Sequence, residues 1–288
     1  EYVVSSSGAL RSGLPVSARP CTSALGRIDV LSGVDGSVVR GHTGAANGGN
    51  NGSGMSGGSE LGHVLGGVGD VNGDGYLDYA AAEKRVVIPR VSPQQPLIYP
   101  QRLLVWSGLT GQLLYSIQGD FAAVSKLGDL NGDGKADFLS VDNTMVVPVG
   151  VGVRSGVDGS LIGGVSICNS SQELMPTAFG IDDVDGDNQP DIAFSCERML
   201  YAPPLTAGYV KILSGATRAL ITTFSGVLNT PNPNFNDPRD GIGKSFANLG
   251  DINNDGINDF IIGAHTDDGN YIDTGSVRVY HLQNASST

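Results

Sequence analysis

A short acidic phrase occurs four times in this chain of 288 residues, and it constrains the fold more than any other feature. Each copy spans nine residues and places oxygen-bearing side chains at its positions 1, 3, 5 and 9. The copies occupy residues 70–78, 129–137, 183–191 and 251–259. Their first aspartates are 59, 54 and 68 residues apart, which indicates a chain built from four related repeats.

The phrase has the chemistry of a calcium-binding loop. Calcium takes six to eight oxygen ligands at about 2.3–2.6 Å, and aspartate and asparagine side chains supply such oxygens. We expect position 7 to add its backbone carbonyl, and we expect glycine at position 6 to permit a turn with positive φ. Asparagine, the next most tolerant residue, replaces that glycine in the third loop. The sequence therefore predicts about four calcium ions, whose ligands are Asp70, Asn72, Asp74, Tyr76 and Asp78; Asp129, Asn131, Asp133, Lys135 and Asp137; Asp183, Asp185, Asp187, Gln189 and Asp191; and Asp251, Asn253, Asp255, Ile257 and Asp259.

The alternative for these phrases is a set of Asp/Asn/Gly turns that bind no metal. Four copies in register disfavour it, because like-charged aspartates crowded into one turn repel each other without a cation. The loops are also unlike EF-hands, which need a glutamate at position 12 and flanking helices.

The net charge of −12 is concentrated in these loops. Thirteen of the 29 acidic residues stand at predicted ligand positions, and four bound divalent cations would bring the net charge from −12 to about −4. The charge disfavours nucleic acid and anionic membranes as partners. No run of 18 apolar residues occurs, so we predict no membrane span. A first residue that is Glu1 rather than Met fits a secreted or cell-surface product, although a trimmed chain would look the same.

Short apolar runs with β-branched residues surround each loop. One run precedes the loop, a second follows it, and a third leads into a Ser-Gly turn and a final run. We therefore predict an all-β chain, a β-propeller of four-stranded antiparallel blades. Four blades carry calcium loops and a partial terminal blade brings the total to about five.

The two ends of the repeat array are unequal. Residues 27–39 match the second half of a repeat but have no acidic loop before them, and the last repeat stops after Leu282. We divide the chain into an N-terminal extension, 1–26, and a propeller, 27–288. Residues 1–7 are expected to complete the last blade, either within the chain as a closing strand or in a neighbour as a donor strand, which would build a homopolymer.

Two segments are predicted to be surface loops, residues 41–59, which are nearly all small and polar, and residues 229–240, which are rich in Asn and Pro. Cys168 and Cys196 could form one disulfide or remain two buried thiols, and Cys21 could be free or pair with another molecule. Of the four histidines, His265 is the one that the sequence places nearest a metal loop.

Residues 242–264 carry a glycine, a calcium loop and a closing Gly-Ala pair in the order of an FG-GAP repeat. The chain thus resembles the FG-GAP propellers of integrin α-subunits and their bacterial relatives over residues 27–282. The resemblance implies a calcium-stabilised propeller that binds partners outside the cell.

The sequence favours a non-enzymatic adhesion, interaction or self-assembling scaffold protein, with a protein or a further copy of itself as partner. The Gly54–Gly58 match to a serine-nucleophile motif lies inside a Gly/Ser-rich segment, so we expect it to be fortuitous. The alternatives are a carbohydrate-binding lectin, with a glycan as partner, or the scaffold domain of a secreted hydrolase or lyase. Aromatic residues make up only 6% of the chain, which disfavours the lectin alternative, because sugar-binding propellers generally need aromatic side chains.

Overall fold

The structure, a computed structural model, describes residues 2–6, 25–44, 59–84, 86–88, 97–99, 101–142, 149–168, 173–198, 208–227, 240–267 and 274–281. These residues form β-strands joined by turns and contain no helix. Within this part of the chain, therefore, no helix is available that would be long and apolar enough to cross a membrane.

The strands form five successive antiparallel sheets. The first sheet holds three strands, β1 (Tyr2–Ser6), β2 (Arg27–Leu31) and β3 (Val38–Thr43). The second sheet holds β4 (Leu65–Gly69), β5 (Asp78–Glu83), β8 (Arg102–Trp106) and β9 (Leu113–Gln118). A separate hairpin of β6 (Val86–Ile88) and β7 (Leu97–Tyr99), which we did not predict from the sequence, is inserted between β5 and β8.

The remaining sheets follow the same plan. The third sheet holds β10 (Phe121–Gly128), β11 (Asp137–Asp142), β12 (Val149–Arg154) and β13 (Leu161–Cys168). The fourth sheet holds β14 (Glu173–Ile181), β15 (Asp191–Arg198), β16 (Tyr209–Leu213) and β17 (Leu220–Ser225). The fifth sheet has three strands, β18 (Ile242–Gly250), β19 (Asp259–Ala264) and β20 (Ser276–Tyr280). The predicted all-β class with four-stranded antiparallel sheets is confirmed, and the sheets are not closed into a barrel.

Apolar residues fill the spaces between successive sheets. Side chains alternate along a strand, so each sheet can bury one set of residues toward the preceding sheet and another toward the following sheet. Ala80 and Val105 of the second sheet, for example, pack with Phe121 and Phe138 of the third. The core is therefore a series of interfaces between sheets, each supplied by two adjacent repeats.

The Ser-Gly turns before the last strand of the second, third and fourth sheets explain why glycine recurs there. A Cβ atom on Gly108, Gly156 or Gly215 would lie 1.9, 2.0 or 1.7 Å from the backbone carbonyl oxygen at position 8 of the acidic loop of the same sheet. Such an approach is possible only without a side chain. The turn and the loop of each sheet are thus packed directly on one another.

The N-terminal strand lies elsewhere than expected. β1 pairs with β2 of the first sheet, with Tyr2 opposite Leu31 and Ser6 opposite Arg27. It does not complete the fifth sheet, whose order is β18-β19-β20. The pairing gives the first sheet a strand on the side of β2 that β3 leaves open.

Both predicted surface loops need correction at their ends. The loop expected to start at residue 41 starts later, because β3 continues to Thr43 and the imidazole of His42 bonds the Tyr79 hydroxyl at 2.8 Å. Asp240, placed in the second loop, is fully buried and accepts the N–H of Val227. Residues 45–58 and 228–239, which hold the rest of these two loops, lie outside the described residues.

Cys196 is fully buried and is disulfide-bonded. This outcome excludes the alternative in which it is a free thiol. The side chain of Cys168 and all of Cys21 lie outside the described residues, so the Cys168–Cys196 pairing stays a prediction.

We predict that Gly215→Ala lowers the free energy of unfolding by about 2–3 kcal/mol, because the new methyl group would overlap the Pro190 carbonyl oxygen. The matched control is Gly67→Ala, whose nearest neighbour would be 4.0 Å away. Urea denaturation of both variants measures the difference. Equal stabilities would show that the turn does not need to touch the loop.

Candidate metal centre

The four acidic loops occupy the same place in four sheets. Each follows the first strand of its sheet, with one intervening residue, Asp182, in the third loop, and each ends at the first residue of the second strand. Successive loops are also in contact, because the N–H of Ala136 in the second loop donates to the carbonyl of Asp70 in the first at 2.9 Å. The loops therefore lie along one edge of the sheet array.

The aspartate at position 1 organises each loop. In the first loop, Asp70 Oδ1 accepts the N–H groups of Gly73 and Asp74 at 2.7 and 3.0 Å, and Oδ2 accepts that of Gly75 at 2.7 Å. Asp129, Asp183 and Asp251 accept N–H groups from the corresponding positions of their own loops. The five residues of backbone that follow position 1 therefore curl around the position 1 carboxylate.

Positive φ angles close this turn at positions 4 and 6. Position 6 has φ of 85°, 82° and 88° at Gly75, Gly134 and Gly256, and 65° at Asn188. Asn254 at position 4 of the last loop has φ of 59°. These conformations favour glycine and tolerate asparagine, which confirms the expectation drawn from the sequence.

In the third loop the carboxylates at positions 3 and 5 lie close to the carboxylate at position 1. In the third loop, ligand atoms of Asp183, Asp185 and Asp187 all lie within 4.8 Å of one another. Two unit charges at that distance repel by about 1 kcal/mol in surroundings like water. This group could hold a metal ion. The other loops carry asparagine at position 3, so an amide oxygen takes the place of one carboxylate there.

The aspartate at position 9 is fully buried, although most of the other loop residues are exposed or half-buried. Asp78, Asp137, Asp191 and Asp259 expose 1% or less of their surface. One carboxylate oxygen accepts the N–H of position 2, as Asp191 Oδ2 does from Val184 at 2.8 Å. In the first three loops the other oxygen accepts the N–H of the turn glycine, at 2.7 Å for Gly108, 3.1 Å for Gly156 and 2.8 Å for Gly215.

The serine of the same turn contacts position 5. Ser107 Oγ donates to Asp74 at 3.3 Å and Ser214 Oγ donates to Asp187 at 3.2 Å. The Ser-Gly pair therefore joins the third and fourth strands of a sheet to the loop between its first and second strands. From the sequence we predicted this pair only as a hairpin turn. A Ser-Gly pair follows each of the first three loops, before the last strand of the sheet, and this recurrence was the signal that it belongs to the site.

Burial changes the acidity of the position 9 aspartates. Removal from water raises the pKa of Asp191 to about 6, against the two N–H groups that stabilise its charge, and it also raises the pKa of Asp78 and Asp137. Burial opposes ionisation at Asp259 too, but hydrogen bonds from His281 and from the Ile252 N–H outweigh it and lower its pKa.

The fourth loop differs because its sheet has no Ser-Gly turn in the described chain. His281, directly after β20, takes the place of the turn glycine and bonds Asp259 through Nδ1 at 2.8 Å. The same nitrogen lies 3.2 Å from the Asn253 amide. The expectation that His265 lies nearest the metals is wrong, because the six residues of β19 carry it about 20 Å along the strand, where it bonds the Gly241 carbonyl.

The residues of the loops fit a hard divalent cation. Their side chains offer only carboxylate and amide oxygens, which is the ligand set of calcium rather than of softer metals. The third loop brings three carboxylates together without a basic residue between them. The geometry of the third loop thus agrees with a metal site.

A cleft of about 720 Å³ opens beside the first loop, between the first and second sheets. It is lined by Val30, Arg40, Leu65, Leu77, Asp78 and Leu109, among others. Leu77, at position 8 of the loop, is 72% exposed there, whereas the equivalent Ala136 is half-buried against the loop of the preceding sheet. The cleft marks the place where the first sheet has no acidic loop.

No family model matches the chain, and no curated protein matches its sequence. Among solved structures, the chain is similar to the rhamnogalacturonan lyase YesW, with a TM-score of 0.45 and 14% identity over 82% of this chain and 48% of that one. It is also similar to a rhamnogalacturonan lyase of Bacillus licheniformis, with a TM-score of 0.43 and 14% identity over 82% of this chain and 47% of that one. The chain spans less than half the length of either enzyme, and 14% identity is too low to transfer an activity.

We predict that the metal-free protein is more stable near pH 5 than near pH 7.5. A buried carboxyl whose folded pKa of about 6 exceeds its ordinary value of 3.8 stabilises the fold when protonated, and this contribution is lost as the pH rises through 6. Melting temperatures of calcium-stripped protein measure the trend. Asp191→Asn should flatten it, and a steeper trend in that variant would contradict the assignment.

Proposed function

We propose that this chain is a calcium-stabilised β-propeller of the FG-GAP type that acts outside the cell as a non-enzymatic interaction or self-assembling scaffold. The observation that supports it most is the same loop in four sheets, each with a fully buried aspartate at position 9. Four copies of one costly arrangement are best explained by a bound cation that each sheet needs. The resemblance of residues 242–264 to an FG-GAP repeat supports the same family.

The contacts between sheets support a propeller arrangement. The first strands lie side by side, with β4 against β10 and β10 against β14, as inner strands of neighbouring blades would. The first and second sheets also each send a side chain from their last strand to the turn of the next sheet. Arg40 donates to the Leu109 carbonyl at 3.0 Å, and the Tyr115 hydroxyl donates to that of Gly156 at 2.8 Å.

The proposed role of calcium is structural. A cation held by positions 1, 3, 5, 7 and 9 would fix the conformation of the loop. The loop joins the first and second strands of its sheet and bonds the Ser-Gly turn, so fixing it would also fix these elements. It would also neutralise the carboxylates that crowd together at positions 1, 3 and 5. Millimolar extracellular calcium suits loops of modest affinity, which fits the proposed location outside the cell.

The proposal of a non-enzymatic role rests on how the charged groups are used. The cleft beside the first loop has one carboxylate among its lining residues, that of Asp78. Both of its oxygens accept backbone N–H groups, from Val71 at 3.0 Å and from Gly108 at 2.7 Å. The Asp78 carboxylate is therefore used in contacts that hold the fold. The other residues that line the cleft are mainly aliphatic residues and glycines.

We predict that calcium raises the melting temperature by at least about 10 °C and that a chelator reverses the change. Each site would contribute about 2.7 kcal/mol when calcium is a hundredfold above its dissociation constant. Differential scanning fluorimetry with and without EDTA measures the shift. An unchanged melting temperature would refute the structural role of the metal.

Calorimetric titration should find about four bound calcium ions. Asp183→Asn should remove one of them, because it deletes a charge from the group of three carboxylates in the third loop. Asp35→Asn is the matched control, since Asp35 lies in the exposed turn of the first sheet, where no acidic loop is present. Loss of an ion in the control, or no loss in Asp183→Asn, would contradict the ligand assignment.

The two alternatives have direct tests. A carbohydrate-binding lectin should retain sugars on a glycan array, and a hydrolase or lyase should release new ends from polysaccharides in a calcium-containing buffer. We expect neither result from this chain. A positive result in either assay would replace the scaffold proposal while leaving the calcium-dependent fold intact.

A further inference from the structure

Three sheets bury the same five positions toward the sheet that follows them. The positions are one in the first strand, position 2 of the loop, one in the second strand and two in the third strand. In the second sheet all five are 0–1% exposed. The fourth sheet exposes them by 0–6%, and in the third sheet only Leu130 is half-buried rather than buried. The residues are Val68, Val71, Ala80, Leu103 and Val105; Leu127, Leu130, Leu139, Val151 and Val153; and Ile181, Val184, Ala193, Val210 and Ile212.

The fifth sheet exposes this face. The corresponding residues, which we call the end face, are Leu249, Ile252, Ile261, Val277 and Val279. Ile261 is half-buried, and the other four are 38%, 53%, 66% and 46% exposed. All five are aliphatic, as in a face made for burial. A contiguous apolar face of this kind on a folded chain marks an interaction surface.

The first sheet carries the other surface that such a contact needs, on the side that faces away from the second sheet. Ile28 and Val30 of β2 pack against the second sheet, so the alternation of the strand directs Arg27, Asp29 and Leu31 away from it. We call these three residues the outer face of the first sheet. Leu31 corresponds to Trp106 and Leu213 of later sheets, and both of these are buried against the sheet before them.

The position 2 side chains and the Ser-Gly turns show the same relation between the fifth sheet and the first sheet. At two interfaces between sheets the position 2 side chain lies against the next Ser-Gly turn, Val71 against Gly156 and Leu130 against Gly215. Ile252, the position 2 residue of the fifth sheet, has no Ser-Gly turn on it in the described chain and is 53% exposed. The Ser32-Gly33 turn of the first sheet is open, and Val34 beside it is 97% exposed.

We propose that the end face packs on the outer face of the first sheet of a second copy of this chain. The described chain already contains three interfaces of this kind, in which the second, third and fourth sheets each bury these positions against the following sheet. The proposed contact would be one further instance. One molecule carries both the end face and the outer face of the first sheet. The two faces are not packed on each other within the molecule, because the end face is exposed. The contact is heterologous, so it adds copies head to tail.

This inference rests on the proposed scaffold function and names its partner and its surface. It differs from donation of an N-terminal strand, because β1 is paired with β2 within the chain. Face-to-face packing leaves that pairing intact. The same contact would also place β20 next to the partner; β20 is the last strand of the fifth sheet in the described chain, whereas the second, third and fourth sheets have a fourth strand.

The test is sedimentation velocity of the full chain over a range of concentrations in calcium. We expect a series of head-to-tail oligomers, and we expect Val277→Asp/Val279→Asp to weaken association at least about a hundredfold by placing charges in a buried apolar contact. The matched control is Leu113→Asp/Leu161→Asp, whose residues are 52% and 62% exposed at the start of outer strands. It should associate like the unmodified chain. Ile252→Asp provides a second end-face variant should the double variant lose its fold, which melting temperature reveals.

Mixing two variants tests the head-to-tail geometry. Leu31→Asp should block the outer face of the first sheet and leave the end face intact. Neither Leu31→Asp nor Val277→Asp/Val279→Asp should associate alone, but an equimolar mixture should form dimers and nothing larger. A symmetric end-face contact would instead leave the mixture with homodimers of Leu31→Asp, and that result would overturn the proposal.

A chain that stays monomeric at every concentration, with its calcium-dependent melting intact, would overturn the inference and leave the proposed calcium-stabilised fold standing. Association that persists when calcium has no effect on melting would refute the structural role of the metal alone. Association that is unchanged in both end-face variants would exclude this surface.

Discussion

The buried aspartate at position 9 is the contact on which each repeat depends. Its carboxylate lies at the start of the second strand and accepts one N–H from its own loop and one from the Ser-Gly turn. The loop, the second strand and, for the first three loops, the Ser-Gly turn therefore meet at one charged group. Burying that charge is costly, as the raised pKa of Asp191 shows, and backbone N–H groups offset only part of the cost. A cation beside it would supply the rest, which connects the fold of each sheet to the proposed calcium.

Repetition then determines the architecture. Each sheet has two apolar faces, and neither can be buried by the sheet alone, so successive repeats cover one another. The free energy of folding is distributed over interfaces between neighbours, as in other repeat arrays. The consequence appears at the ends, where one face of the first sheet and one face of the fifth sheet have no neighbour in the described chain. The proposed self-association follows from the same physics that stacks the sheets within the chain.

The fourth repeat shows how one site departs from the common plan. Where other sheets offer a glycine N–H to position 9, the fifth sheet offers the imidazole of His281. The pKa of Asp259 is lowered there, whereas those of the other position 9 aspartates are raised. An ionisable side chain thus replaces a backbone group at the sheet that also carries the end face. The last repeat differs from the others both in its loop and in its exposed surface.

The sequence by itself determined the repeats, the strands and the loops. Alternating apolar residues and fixed Asp-Gly spacing are local patterns, so the apolar runs predicted before and after each loop form strands. Tertiary structure alone decided what those elements touch. The pairing of β1 with β2, the burial of Asp240 and the place of His281 at a metal loop depend on groups far apart in the chain. Spacing cannot encode such contacts, because they arise only when sheets pack and a strand carries its two ends about 20 Å apart.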